Sequence, residues 1–285
     1  MGAETGIQWT HATFNPWWGC EKVSPACANC YAERDSSKYG HRKLWGRISE
    51  RRFFGEKHWM EPLKWNAKAA VAGKPFRVFC ASMGDVFEDR RDLDGPRAAL
   101  FDLVERTPAL TWILLTKRPG KMTTLAPSHW SSAWPRHVWA MTTAENQEQA
   151  DGRIPDLLKV PAAVHGVSME PLLGRVDLGR YDDLLPKMDW VIVGGESGDK
   201  ARPTHPQWIR DIRDQCQSRG IAFFFKQWGE WAPLNGEEWL RRGYPDVEPG
   251  GAFPMRRLGK QLAGRKLFGR EWNEFPGEKS APKAA

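Results

Sequence analysis

From residue 76 to residue 229 the chain repeats one pattern: a short apolar run, a few polar residues, then an amphipathic stretch. "FRVFCAS" (residues 76–82) opens the series, bounded by Pro75 and by a Gly84-Asp85 turn. Such a run, too short for a helix and flanked by breakers, predicts a buried strand. "LTWILLTKRP" (110–119), "HVWAMTTAEN" (137–146), "AAVHGVSMEPLLG" (162–174), "MDWVIVGGESG" (188–198) and "IAFFFKQWG" (221–229) read the same way. Between them, "GPRAALFDLVERT" is an amphipathic helix with Pro96 near its start. "NQEQADGRIPDLLKV" is a helix broken at Pro155, and "HPQWIRDIRDQCQSRG" a helix closed by Gly220. Upstream, residues 28–41 read as a short helix and residues 48–70 as a basic, aromatic connection ending in a helix. With one more strand near residues 13–18, the chain holds about six to seven β units.

Strands alternating with helices predict a parallel sheet with crossover helices. The expected fold is α/β, a partial or complete (β/α) barrel; a doubly wound sheet is the alternative. Residues 1–228 would form the barrel, 229–275 a Gly-, Pro- and charge-rich extension packed on it, and 276–285 a disordered tail.

Each apolar run ends in polar or charged residues. The first is followed by Ser82, Asp85 and Glu88, the next by Thr116, Lys117 and Arg118, and then come Thr142, Thr143, Glu145 and Asn146. Later runs deliver Ser168, Met169 and Glu170, then Gly194, Gly195, Glu196 and Ser197, and finally Lys226, Gln227 and Trp228. In a parallel barrel these ends open onto one face, where active sites sit. Helix capping accounts for some of them. A Glu after three separate strands and the Lys117-Arg118 pair favour a pocket of mixed charge. Gly194-Gly195 allows close backbone approach, but the segment matches neither nucleotide-binding glycine fingerprint.

Composition adds less. A net charge of +7 and 16 tryptophans suit a nucleic-acid partner, although core packing is the simpler use of the tryptophans. No apolar run reaches membrane-spanning length and no secretory signal is read, so a cytoplasmic protein without membrane contact is expected.

Three of the five cysteines crowd into "GCEKVSPACANCYAE" as Cys20, Cys27 and Cys30. Such clustering without an export signal argues against disulfides. Cys80 and Cys216, in a strand and a helix, read as buried apolar residues. Three chemistries are open for the cluster. Zinc would recruit His11 or His41 as a fourth ligand. A Cys27-x2-Cys30 redox pair would leave Cys20 over. A [4Fe–4S] cluster on three cysteines would keep one iron open.

Three cysteines after the first strand of a (β/α) chain resemble the radical S-adenosylmethionine (SAM) superfamily, although the first gap is six residues and Asn29 precedes Cys30. "IQWTHATFNPWWGCEKVSPACANCYAE", "LLTKRP", "SMEPLLG", "VIVGGESG", "FFFKQWGEW" and "GRKLFGREWNEFP" together resemble the phage-associated, radical-SAM-like three-cysteine family. The resemblance implies a radical-SAM-type barrel with a [4Fe–4S] cluster on Cys20, Cys27 and Cys30, SAM as cofactor and an external electron donor. Its substrate is expected to be a nucleic-acid base or nucleotide. Ser82, Asp85, Thr142, Glu145, Gly194, Gly195, Glu196 and Ser197 are the expected cofactor contacts; Lys117, Arg118, Glu170 and Lys226 the expected catalytic residues. The alternative function is a non-catalytic nucleic-acid-binding protein stapled by zinc or a cluster.

Overall fold

The computed structural model describes residues 5–41, 43–233 and 255–277. In chain order its strands are β1 (Ala12–Thr13), β2 (Trp17–Trp18), β3 (Arg52–Phe53), β4 (Phe76–Cys80), β5 (Leu110–Thr116), β6 (Val138–Thr143), β7 (His165–Met169), β8 (Trp190–Gly194), β9 (Ala222–Gln227), β10 (Trp231–Pro233) and β11 (Met255–Arg257). The helices are α1 (Tyr31–Lys38), α2 (Glu56–Trp59), α3 (Glu61–Ala72), α4 (Asp94–Glu105), α5 (Met122–Leu125), α6 (Gln147–Leu157), α7 (Pro206–Arg219) and α8 (Lys260–Ala263).

Seven strands form one all-parallel sheet in the order β1-β4-β5-β6-β7-β8-β9. The order never reverses, so the sheet has no topological switch point, and the doubly wound alternative fails. The sheet is a half barrel, compatible with a partial (β/α) barrel, with β1 and β9 as its two edges.

Strand periodicity sorts the apolar residues into two layers. Val78, Trp112, Leu114, Ala140, Val191 and Phe225 pack with Leu100, Ile154 and Ile209 of α4, α6 and α7 in the larger core. The alternate positions Phe79, Ile113, Met141, Ile192 and Phe224 form a second cluster with Trp9 and Phe275 on the concave side. Burial of both faces is why these strands read as unbroken apolar runs. Among the described residues ten tryptophans are buried, Trp17, Trp112, Trp130 and Trp190 with almost no accessible surface, which assigns them to packing. Cys80 and Cys216 are fully buried in the outer core, as expected.

Two sequence expectations change. The strand near 13–18 divides: after β1 the chain leaves the sheet at Asn15-Pro16, and Trp17–Trp18 pairs antiparallel with β3. Pro16 has no N–H for a ladder, and the Asn15 Oδ1 takes the Met83 amide at 2.6 Å. Helix α6 runs through Pro155 to Leu157, because a proline in the last turn forfeits a single backbone bond. Between β7 and β8, where the sequence marks no helix, the crossover is a pair of 3₁₀ turns (Leu178–Tyr181 and Leu185–Lys187).

The C-terminal segment returns to the sheet. Asn273 pairs antiparallel with Phe224, and the Phe225 amide donates to the Trp272 carbonyl at 3.0 Å. The open edge of β9 is thereby covered, and Trp272 and Phe275 are buried. Residues 234–254 of the expected extension, and 278–285 of the expected tail, lie outside the described residues. No helix among the described residues is long and apolar enough to cross a membrane.

Candidate functional site

The cysteine segment begins at Gly19, whose amide donates to the Met83 carbonyl beyond the end of β4. Gly19 has φ +111°, and a Cβ there would meet the Leu44 carbonyl at 2.4 Å, so glycine is required. The segment then crosses the C-terminal ends of the strands. The Ala26 amide donates to Glu145 Oε1 (2.9 Å), past β6. Arg202 Nη2 donates to the Pro25 carbonyl (3.1 Å). Asn29 Nδ2 reaches Glu196 Oε2 (3.1 Å), past β8, and the Tyr31 hydroxyl donates to the Ser82 carbonyl (2.9 Å), past β4. Arg118, past β5, donates to Cys20 Sγ (3.8 Å) and to the Glu21 carbonyl (3.1 Å). Contacts to four strand ends thus hold the segment over the sheet.

Beneath it lies a cavity of about 530 Å³. Cys20, Cys27, Cys30 and Tyr31 line it from the cysteine segment; Ser82, Lys117, Thr143, Ser168, Glu170 and Lys226 line it from the strand ends, above Trp9 and Phe79. Lys226 Nζ sits 2.8 Å from Glu170 Oε1, which also accepts from Gln227 Nε2 at 3.2 Å. The Lys117 ammonium has no hydrogen-bond or ion-pair partner among the described residues, although its backbone amide donates to Asp85.

The expected site residues divide by what their side chains touch. The three cysteines, Ser82, Lys117, Glu170, Gly195, Ser197 and Lys226 all line the cavity. Thr142 does not: it is fully buried and donates to the Thr116 carbonyl at 2.9 Å. Strand parity turns Thr143 inward instead. Glu145 is also fully buried, between the Ala26 amide and Arg153 (3.0 Å), so it anchors the cysteine segment and does not reach the cavity. Gly194 stays off the cavity wall, and a Cβ there would meet the Glu170 carboxyl at 3.1 Å.

Three other expected residues touch the cavity with their hydrogen-bonding capacity already committed. Asp85 accepts from Thr116 Oγ1 (2.6 Å), the Phe87 and Lys117 amides and Arg118 Nη1 (2.8 Å). Glu196 is held by Arg202, through a 2.6 Å ion pair and the backbone amide, and by Asn29. Arg118 is committed to Asp85 and to the Cys20 loop. Asp85 and Glu196 are therefore braces, and Arg118 positions Cys20.

Burial pushes the Cys20 thiol up to about 12, reinforced by Asp85 and opposed by Arg118. Burial alone would also raise Glu145, but Ser24, the Ala26 amide and Arg153 outweigh it and hold the carboxyl below its usual range. At Glu196 burial is likewise outweighed, by Arg202 and Asn29.

Donor chemistry bears on what the cysteines could hold. His11 accepts from the Arg77 amide and stacks on Phe76 at the opposite end of β4, so it is not a fourth zinc ligand. The intervening strand is roughly 15 Å long. His41 packs edge-on to Trp18, off the cavity wall. Among the described residues no three His, Cys, Asp or Glu side chains form a set that could hold a single metal ion. Three of the five cysteines line this one cavity, and the other two are buried in the outer core.

Sequence reasoning missed Arg34, Asn29 as a tie to the β8 loop, and Lys260. Arg34 Nη1 donates to the Ser197 carbonyl at 3.4 Å. Lys260 joins the cavity wall from the C-terminal segment, and burial and the Lys226 charge lower its pKa. No local sequence signal marks these contacts, whose partners lie far along the chain.

The chain belongs to the family described as "Protein of unknown function (DUF5131)", whose model matches residues 4–276. No curated protein and no solved structure matches it.

Proposed function

We propose that this DUF5131 chain is a radical-SAM-like enzyme, kin to the phage-associated three-cysteine proteins. Cys20, Cys27 and Cys30 would hold a [4Fe–4S] cluster with SAM as cofactor, and the substrate would be a nucleotide or nucleic-acid base. The observation that carries this reading is that all three cysteines and the polar strand ends line one cavity. A cluster bound there would supply one-electron reduction of SAM, with the electron drawn from an external donor.

The chain's own residues bind and position. Arg118, 3.8 Å from Cys20 Sγ, offsets the charge of a thiolate there. The Lys226–Glu170 pair offers a cation and an anion side by side, matched to the carboxylate and amino groups of SAM. Lys117 offers an uncommitted ammonium to an anionic group. Trp9 and Phe79 close the cavity floor with apolar surface.

The test is anaerobic reconstitution. Wild-type protein should take up about four irons per chain with the EPR signal of a reduced [4Fe–4S] cluster. Cys20→Ala, Cys27→Ala and Cys30→Ala should each lose it, while Cys80→Ala keeps it. Dithionite and SAM should then yield 5′-deoxyadenosine. Stoichiometric zinc without iron overturns the reading in favour of a stapled binding protein.

A further inference from the structure

The stretch from residue 38 to residue 60 is set apart by charge. It holds seven Lys or Arg against two Glu, a net of five positive charges in a chain whose total is seven. It is neither core nor crossover helix; it is a rim. Trp45 bridges to Cys20, the Gly46 amide donates to the Cys20 carbonyl at 3.0 Å, and Lys38 and Trp45 line the cavity.

The rim is rigidly built. Arg51, buried, bonds both oxygens of the buried Glu88 and donates to the carbonyls of Leu44, Gly46 and Ser49. One guanidinium thus holds the whole 44–50 loop. Lys43, Arg47 and Lys57 are exposed and have no ion-pair partner among the described residues. Aromatic faces lie among them. Tyr39 is 70% exposed and Phe53 47%. Phe54, Arg52, Trp18 and Tyr39 form a contiguous row, with the Arg52 guanidinium 4.7 Å from the Trp18 ring and Tyr39 tilted against Trp18, and Trp18 leads through Gly19 into Cys20.

Unpaired cations spaced between exposed aromatic faces are the elements of single-strand recognition, with phosphates on the cations and bases stacked on the rings. An acidic peptide would use the cations and leave the aromatic faces idle. A duplex would hide its bases from both the rings and the cavity. We infer that residues 38–41 and 43–57 are a docking rim for single-stranded nucleic acid, held against the cavity mouth. The rim itself needs no cluster; only the delivery of a base into the cavity rests on the enzymatic reading above.

The probe is a fluorescein-labelled 20-nucleotide single strand, followed by anisotropy against full-length protein, iron-free and reconstituted. Micromolar binding is expected at ~0.1 M salt, weaker for the matching duplex. Lys43→Ala/Arg47→Ala/Lys57→Ala should bind at least tenfold more weakly, and its slope of log affinity on log salt should fall by about 2, from three contacts at ~0.7 each. Tyr39→Ala/Phe53→Ala should lose roughly tenfold with an unchanged slope. These side chains are exposed, so circular dichroism and melting should match wild type in both variants.

Wild-type affinity or slope in the triple variant overturns the inference. So does equal or tighter binding to phosphatidylserine vesicles, which would make the rim a lipid-facing surface. Strand binding that survives in Cys20→Ala, without a cluster, leaves the rim standing even if the enzymatic reading falls. A cluster that forms in a chain unable to bind the strand does the reverse.

Discussion

Asp85 and Glu145 show how a charged residue at a strand end can serve the fold. Asp85 accepts four hydrogen bonds, from the Phe87 and Lys117 amides, the Thr116 hydroxyl and Arg118. Glu145 holds the Ala26 amide on one oxygen and Arg153 on the other. From sequence alone, both are indistinguishable from ligand-binding carboxylates, because the residues that occupy them are up to 119 positions away. Glu145→Ala should strand the buried Arg153 and reduce unfolding free energy by about 3 kcal/mol in urea titrations. The pH dependence follows from the lowered Glu145 carboxyl. Its contribution is complete above the unfolded value near 4.5 and is lost as pH falls through the lower folded value. The stability gap between wild type and Glu145→Gln should therefore be constant near neutrality and shrink at pH 3.

Strand β8 and the loop after it carry the tightest backbone approach at the site. A Cβ on Gly195 would lie 1.9 Å from the Trp228 carbonyl oxygen, and one on Gly229 would lie 2.1 Å from that of Glu196. The Gly194-Gly195 pair is thus explained by packing of the β8 and β9 ends and by room for Glu170. Backbone cannot yield as a side chain tip can, so Gly195→Ala should cost at least ~3 kcal/mol or give insoluble protein, read by soluble yield and urea unfolding. The strands were legible because burial on both faces writes a continuous apolar run. Which of two neighbouring threonines faces the cavity was not, because Thr142 and Thr143 differ only in parity, and parity depends on register with β5 and β7.

Across the molecule, closure depends on segments distant in sequence. The C-terminal stretch covers the β9 edge, and Trp272 packs edge-on to Phe223 at 5.6 Å while donating to the Leu267 carbonyl. Trp272→Ala should cost about 3–5 kcal/mol and expose an unpaired strand edge, seen as a lower urea midpoint and increased aggregation on sizing. At the other edge the basic rim is clipped to Cys20, and the Arg51–Glu88 pair holds it at 2.5 Å with both side chains almost wholly buried.

The amino-acid sequence by itself determined the parallel α/β order, the polar mouth at the strand ends and the three crowded cysteines. Those properties reside in local periodicity and local composition, which any window of about ten residues displays. Only the tertiary structure decided which polar groups face the cavity. It closed the mouth with the cysteine segment, assigned Glu145, Glu196 and Asp85 to bracing and left Lys117 uncommitted. Those roles depend on pairings between residues tens to more than a hundred positions apart. Buried charges must find partners, and only the folded chain brings those partners within reach.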